Sequence, residues 1–279
     1  SLQANGASRA FVTDANGAGI RDLGTPTGIS AASSINNRGQ VAGYLSNSAG
    51  DARAFITGPN GLGFIDLGTL GGRDSYALHL NDNGEVVGQS QTSTAAIHAF
   101  ATGPNGSGMT DLGNPATGNS YAYGINQSGQ IVGEATLSTN RRQVFIAATA
   151  ASGMSIWSAP GSPWSMAYSI NDRGQVAGQY DAGSVARAFL LDSATGTLAD
   201  LGSLGGGSSY ARDVNNAGWV VGAAYTQAQV THAFVFAANG QGMIDLNALV
   251  DLGPVVLQDA MAINELGQIV ANGSDGFAY

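Results

Sequence analysis

The strongest constraint in this sequence is a ten-residue hairpin written six times. It reads "SINNRGQVAG" (34–43), "HLNDNGEVVG" (79–88), "GINQSGQIVG" (124–133), "SINDRGQVAG" (169–178), "DVNNAGWVVG" (213–222) and "AINELGQIVA" (262–271). The asparagines stand at 36, 81, 126, 171, 215 and 264, so the spacings are 45, 45, 45, 44 and 49 residues. A period of that length implies a repeat architecture built from one supersecondary unit. In each copy an apolar residue closes a strand and Asn caps the turn amides with its side chain. The Gly at 39, 84, 129, 174, 218 or 267 then supplies the left-handed backbone of a short, bulged hairpin. Five copies end on a second Gly, where a neighbouring backbone is expected to come close.

A second strand pair recurs between the hairpins. "RAFV", "RAFI", "HAFA", "QVFI", "RAFL" and "HAFV" place Phe at 11, 55, 100, 145, 189 and 234. A turn follows, then "IRDLG", "FIDLG", "MTDLG", "LADLG" or "MIDLN"; the fourth copy instead reads "MSIWSAPG", with Ile156 where Asp belongs. Four short strands per ~45 residues describe a propeller blade, and no window shows helical periodicity. The expected fold is therefore all-β: one domain (1–279), a six-bladed β-propeller with four antiparallel strands per blade. The units run roughly over 25–68, 69–113, 114–158, 159–202, 203–246 and 247–279, with 1–24 closing the last blade.

Closure by the N- and C-terminal strands leaves one strand too many. Ile20–Gly24 is expected as the outer strand of the blade that begins with Ala260–Asn264 and Gln268–Ala271. The third place in that blade has two claimants, the Ser8-Arg9-Ala10-Phe11-Val12 strand and the segment ending in Phe277-Ala278-Tyr279. A surplus strand can fray, add as a fifth outer strand, or pair with another molecule. A short ladder contributes roughly 2–6 kcal/mol and burial of a Phe ~2–3 kcal/mol. Ordering five residues costs about 5–10 kcal/mol. These terms nearly cancel, so all three fates remain open.

Composition excludes several functions. A net charge of −9 and a pI near 4.5, with ten Arg and no Lys, argue against a nucleic-acid partner. No apolar run reaches the ~18 residues of a membrane span, and no signal-peptide pattern is present. Without Cys there are no disulfides or thiolate chemistry, which leaves the compartment undecided. Charged residues make up only 10% of the chain, against a usual ~25%.

No catalytic constellation emerges. His98 and His232 occupy a slot filled elsewhere by Arg9, Arg53, Gln143 and Arg187, the pattern of a polar strand face, and no zinc-ligand spacing occurs. The recurring Asp22, Asp66, Asp111, Asp200 and Asp245 are expected to hold loop amides. "DANGAGIRD" (14–22) has the oxygen-rich look of a calcium loop, but its equivalents carry Gly58 and Gly103 in place of Asp14, so a hairpin turn is the first reading. No cofactor and no metal are expected. Departures from the repeat supply the ligand-contact candidates: Trp157, Trp164 and Trp219, together with Tyr76, Tyr121 and Tyr210, placed just before the first strand of their units. Such aromatics stack on sugars, anchor a partner, or pack between blades.

"DLGTLGG" (66–72), "HAF" (98–100 and 232–234) and the "INxxGQVVG"-like hairpins together resemble the HAF-repeat family of extracellular bacterial proteins. "MIDLNALVD" (243–251) and "AINELGQIVANG" (262–273) resemble that family's last repeat. The resemblance implies secretion and a propeller-like fold, and it brings no catalytic residues. Many members continue into a Pro-Glu-Pro sorting tail; none is present in 1–279, and anchoring stays open. The function expected is a non-catalytic structural or interaction protein, extracellular or on the bacterial surface. Its partner would be itself, in a filament joined by strand donation. The alternative is a glycan-binding or polysaccharide-lyase propeller, with a groove lined by the tryptophans of the fourth copy and by Arg141, Arg142 and Asp181.

Overall fold

The computed structural model describes residues 8–14, 17, 19–23, 29–47, 49–137, 141–237 and 242–279. The chain divides into two compact units, one holding 1–131, 135–140 and 147–154, the other 132–134, 141–146 and 155–279.

In the first unit, β1 (Phe11–Thr13) and β2 (Ile20–Asp22) form a two-stranded sheet. Two four-stranded antiparallel sheets follow. The earlier contains β3 (Ser30–Ile35), β4 (Val41–Ser46), β5 (Ala52–Ile56) and β6 (Ile65–Gly68); the later contains β7 (Gly71–Leu80), β8 (Val86–Thr92), β9 (Ile97–Thr102) and β10 (Met109–Gly113). A third such sheet comprises β11 (Ser120–Ile125), β12 (Ile131–Thr136), β13 (Arg142–Ala147) and β14 (Ser155–Trp157), and the division falls within it.

The second unit holds two more. One is β15 (Ser165–Ile170), β16 (Gln175–Asp181), β17 (Ala186–Asp192) and β18 (Leu198–Asp200); the other is β19 (Gly205–Val214), β20 (Val220–Thr226), β21 (Thr231–Ala237) and β22 (Gly242–Asp245). The last sheet is the pair β23 (Leu257–Ile263) and β24 (Ile269–Gly273).

Each four-stranded sheet follows chain order, as an up-and-down meander requires. Its core is one Phe: Phe55, Phe100, Phe145, Phe189 and Phe234 are all 0% exposed. The Phe pairs across the ladder with the hairpin's final Gly, as in Gly43↔Phe55 and Gly88↔Phe100. A Cβ on Gly88 would lie 2.0 Å from the Tyr76 carbonyl oxygen, so glycine there admits the first strand's backbone. The turn glycines adopt positive φ, 68° at Gly39 for example. The bulge sits inside the first strand rather than at the turn, as at Ala32/Ser34 and Ala77/His79.

The repeating asparagine does more than cap its own turn. The Asn36 Oδ1 accepts the Arg38 and Gln40 amides, while its Nδ2 donates to the Asn81 carbonyl 45 residues on. Asn81 does the same to Asn126, Asn171 to Asn215, and Asn215 to Asn264. A serine forms the second tie. The Ala54, Ala99, Val144 and Ala188 amides donate to the hydroxyls of Ser75, Ser120, Ser165 and Ser209 in the following sheet. Identical letters thus recur because they bind each blade to the next.

At the termini the strands near Ile20 and Phe11 pair with each other, as an outer and a third strand of one blade do, and Gly24 lies outside the described residues. Of the two claimants, Phe277–Tyr279 pairs beside β24: Ala271 and Tyr279 exchange both backbone hydrogen bonds, and Gly273 N–H donates to the Phe277 carbonyl. The local reason is the turn before it, where Asp275 accepts the Phe277 amide and the Tyr279 hydroxyl.

Candidate interaction faces

In three sheets the polar slot before Ala-Phe pairs with the Asp of the outer strand, thirteen residues on. Arg53 pairs with Asp66 at 3.2 Å, His98 Nδ1 lies 3.0 Å from Asp111, and His232 Nδ1 lies 2.6 Å from Asp245. The same carboxylates accept the amides of Gly68, Gly113 and Asn247. Burial raises the Asp245 pKa, but the His232 hydrogen bond and the Asn247 side chain and amide outweigh it and leave the carboxyl below its usual value. Where the fourth copy replaces Asp by Ile156, the cation is gone too. Gln143 there donates to the Pro163 carbonyl and accepts the Ser165 hydroxyl. These residues are structural cross-strand pairs. Among the described residues no group of three or more His, Cys, Asp or Glu is arranged to hold a metal ion.

The aromatic candidates do not converge on one place. Trp157 is half-buried on β14 and packs against Phe189 with ring centroids 5.8 Å apart. Trp164 is half-buried beside β15, and its carbonyl accepts the Asp181 amide. Trp219, 39% exposed, sits in a hairpin turn with its amide held by Asn215. Tyr76, Tyr121 and Tyr210 lie within first strands (β7, β11 and β19) and not before them, because those strands begin earlier than the apolar pattern suggests. Tyr76 meets Tyr44 edge-on at 5.0 Å, and Tyr121 stacks on Tyr123 at 6.3 Å. The Arg141 guanidinium is tied to the Ser162 and Pro163 carbonyls, and Arg142 lies 3.7 Å from the buried Glu134.

A sharper asymmetry lies at the two ends of the repeat. The apolar residue before each repeat Asn is buried in five copies: Leu80 3%, Ile125 4%, Ile170 6%, Val214 5% and Ile263 7% exposed. Ile35 is 57% exposed. With Phe11, Val12 and Val41 it lines a cleft of about 330 Å³ in the first unit. In the second hairpin strand, Ala42, Val87, Val132, Ala177 and Val221 are 0% exposed, whereas Val270 is 50% exposed. The polar ladder is broken at the same two places. Among the described residues, the Asn264 Nδ2 donates only to Gln268 and the Asn36 carbonyl accepts only the Gly39 amide. Sequence reasoning missed this face, since Ile35 is the same letter as its covered counterparts.

The sequence profile of the family described as "Protein of unknown function (DUF3466)" matches residues 158–276. That match overturns the HAF-repeat resemblance: short motifs shared at one period did not identify the family. No curated protein matches the sequence. Among solved structures the chain is similar to a putative TolB from Agrobacterium tumefaciens, at 10% identity and a TM-score of 0.57, covering 82% of this chain and 84% of that one. It is similar to YCF48 bound to D1 peptide, at 14% identity and 0.57, covering 98% and 86%. It is also similar to the S511A mutant of puromycin hydrolase, at 15% identity and 0.60, covering 94% of this chain and 46% of that one. At these identities the likeness is one of fold: all-β and propeller-like.

Proposed function

We propose that this chain is a non-catalytic, extracellular structural and interaction propeller of six blades that associates with further copies of itself head to tail. Five complete sheets supply five blades; β23–β24 carries the inner half of a sixth and β1–β2 the outer half. Pairing of terminal strands between copies then completes the sixth blade. The observation that carries the reading is the matched exposure of Ile35 and Val270, two positions covered in every other copy. Burying one such side chain contributes about 1.5–3 kcal/mol, and two different patches on one chain make a heterologous contact, which repeats into a fibre unless it closes. Arg53, His98 and His232 support the non-catalytic part, being engaged in the same cross-strand pair with Asp66, Asp111 and Asp245 in three sheets. A chain with no Lys and only 10% charged residues fits a uniform structural module better than a steered enzyme.

The test is electron microscopy with light scattering on the purified chain. Polymeric species are expected, and they should disappear on deletion of residues 1–12 or in Ile35→Glu. A strict 28.0 kDa monomer at every concentration refutes the reading.

A further inference from the structure

We infer that the β24 edge is the acceptor for strand β1 of a second copy, which enters by displacing Phe277–Tyr279. The inference rests on the self-association proposed above and specifies its partner strand and register. Four of the complete blades fix that register, because in each the hairpin's final Gly faces the Phe and the residue before it faces the residue after. Carried to β24, the rule sets Phe11 against Ala271, Val12 against Val270 and Thr13 against Ile269.

Three features of β1 fit that place. Thr13 corresponds to Thr57 and Thr102, whose hydroxyls accept the Val41 and Val86 amides and which are 0% and 3% exposed, while Thr13 is exposed. Phe11 corresponds to five fully buried phenylalanines yet is 42% exposed, and among the described residues its strand is in a sheet with β2 alone. Docking would also bring the Asn264 amide toward the Asn36 carbonyl, continuing the ladder that joins every other pair of hairpins within each unit.

Phe277–Tyr279 reads as a partial substitute for the Ala-Phe strand. Tyr279 exchanges both hydrogen bonds with Ala271, the position where a Phe belongs, and Ala278 bridges Asn272. Its contacts cover 271–273 and leave Val270 half exposed; Phe277 itself is 67% exposed. An incoming β1 keeps these backbone bonds and adds Val12 and Thr13. Within one chain β1 is in a sheet with β2 and β24 in a sheet with β23, and Phe11 and Val270 are both left exposed for a second copy to cover.

The chain contains no Cys, so engineered thiols report alone. Ala271 and Tyr279 form a hydrogen-bonded pair, so the next pair, Val12 with Val270, is of the non-hydrogen-bonded kind, with Cα atoms about 4.5 Å apart and within disulfide range. Val12→Cys and Val270→Cys chains, purified separately, mixed and oxidised, are expected to give a covalent heterodimer of twice 28.0 kDa. The off-register mixture of Thr13→Cys with Val270→Cys should give less than about a tenth of it. In a Val270→Cys chain shortened to end at Ser274, cross-linking to Val12→Cys should speed up several-fold.

Cross-linking confined to one chain in a Val12→Cys/Val270→Cys double variant, with none in the mixture, would overturn the second copy as partner. No cross-link in either, with circular dichroism showing folded chains, would overturn the register. An unchanged rate after shortening would overturn displacement. Polymers seen by microscopy without the cross-link sink this inference alone; a constant 28.0 kDa mass sinks the reading beneath it.

Discussion

Replacing Asn81 by Ala tests whether the asparagine ladder binds blade to blade or merely shapes turns. Asn81 is 1% exposed. Its Oδ1 accepts the Asn83 and Glu85 amides at 3.1 Å each, and its Nδ2 donates to Glu85 at 2.6 Å and to the Asn126 carbonyl at 3.0 Å. At roughly 0.5–1.5 kcal/mol per bond, losing four costs about 2–6 kcal/mol, toward the upper end where water cannot reach the orphaned groups. Asn264 supplies an internal control. It caps its own turn through the Leu266 and Gln268 amides but is exposed and makes no bond to a following hairpin. Asn264→Ala should cost only about 1 kcal/mol, as a solvent-accessible cap does. Urea unfolding followed by circular dichroism measures both. Equal costs, within ~0.5 kcal/mol, would show that the link to the next hairpin contributes nothing.

Three further outcomes follow from particular contacts. Gly88→Ala places a Cβ 2.0 Å from the Tyr76 carbonyl oxygen, so its urea midpoint should fall far below that of a surface Gly→Ala change; a near-neutral result would mean the first strand shifts freely. His98→Arg should leave thermal stability within about 0.5 kcal/mol, because Arg53 already makes the same pair with Asp66 and such exposed pairs contribute little. The depressed Asp245 carboxyl stabilises the fold above the ordinary unfolded value of about 3.9, and that stability is lost as pH falls through its lower folded value. Asp245→Asn should therefore lower the urea midpoint at pH 7 and change it little at pH 2; an equal drop at both would assign the loss to packing.

Much of the fold was legible because the same letters do the same work in every blade. Gly88 and Phe100 face each other, Asn81 holds its turn, and His98 meets Asp111, all deducible from slot and spacing. The serine tie was legible in principle, since Ser30, Ser75, Ser120, Ser165 and Ser209 each stand six residues before a repeat Asn. The exposed end face was not. Ile35 differs from Ile125 and Ile170 in its neighbours, not in its letter. The terminal pairing was half legible. The Phe277–Tyr279 register could be counted from Phe234, but its claim over β1 depends on the Asp275 turn that folds it back locally. The aromatics misled for a related reason: Trp157, next to the Ile156 that breaks the repeat, packs on Phe189.

Sedimentation equilibrium of the unmodified chain across a hundredfold concentration range tests the self-association most directly. The weight-average mass should climb in multiples of 28.0 kDa and return to one chain in Ile35→Glu. A mass fixed at 28.0 kDa throughout, with Ile35→Glu indistinguishable, would contradict it.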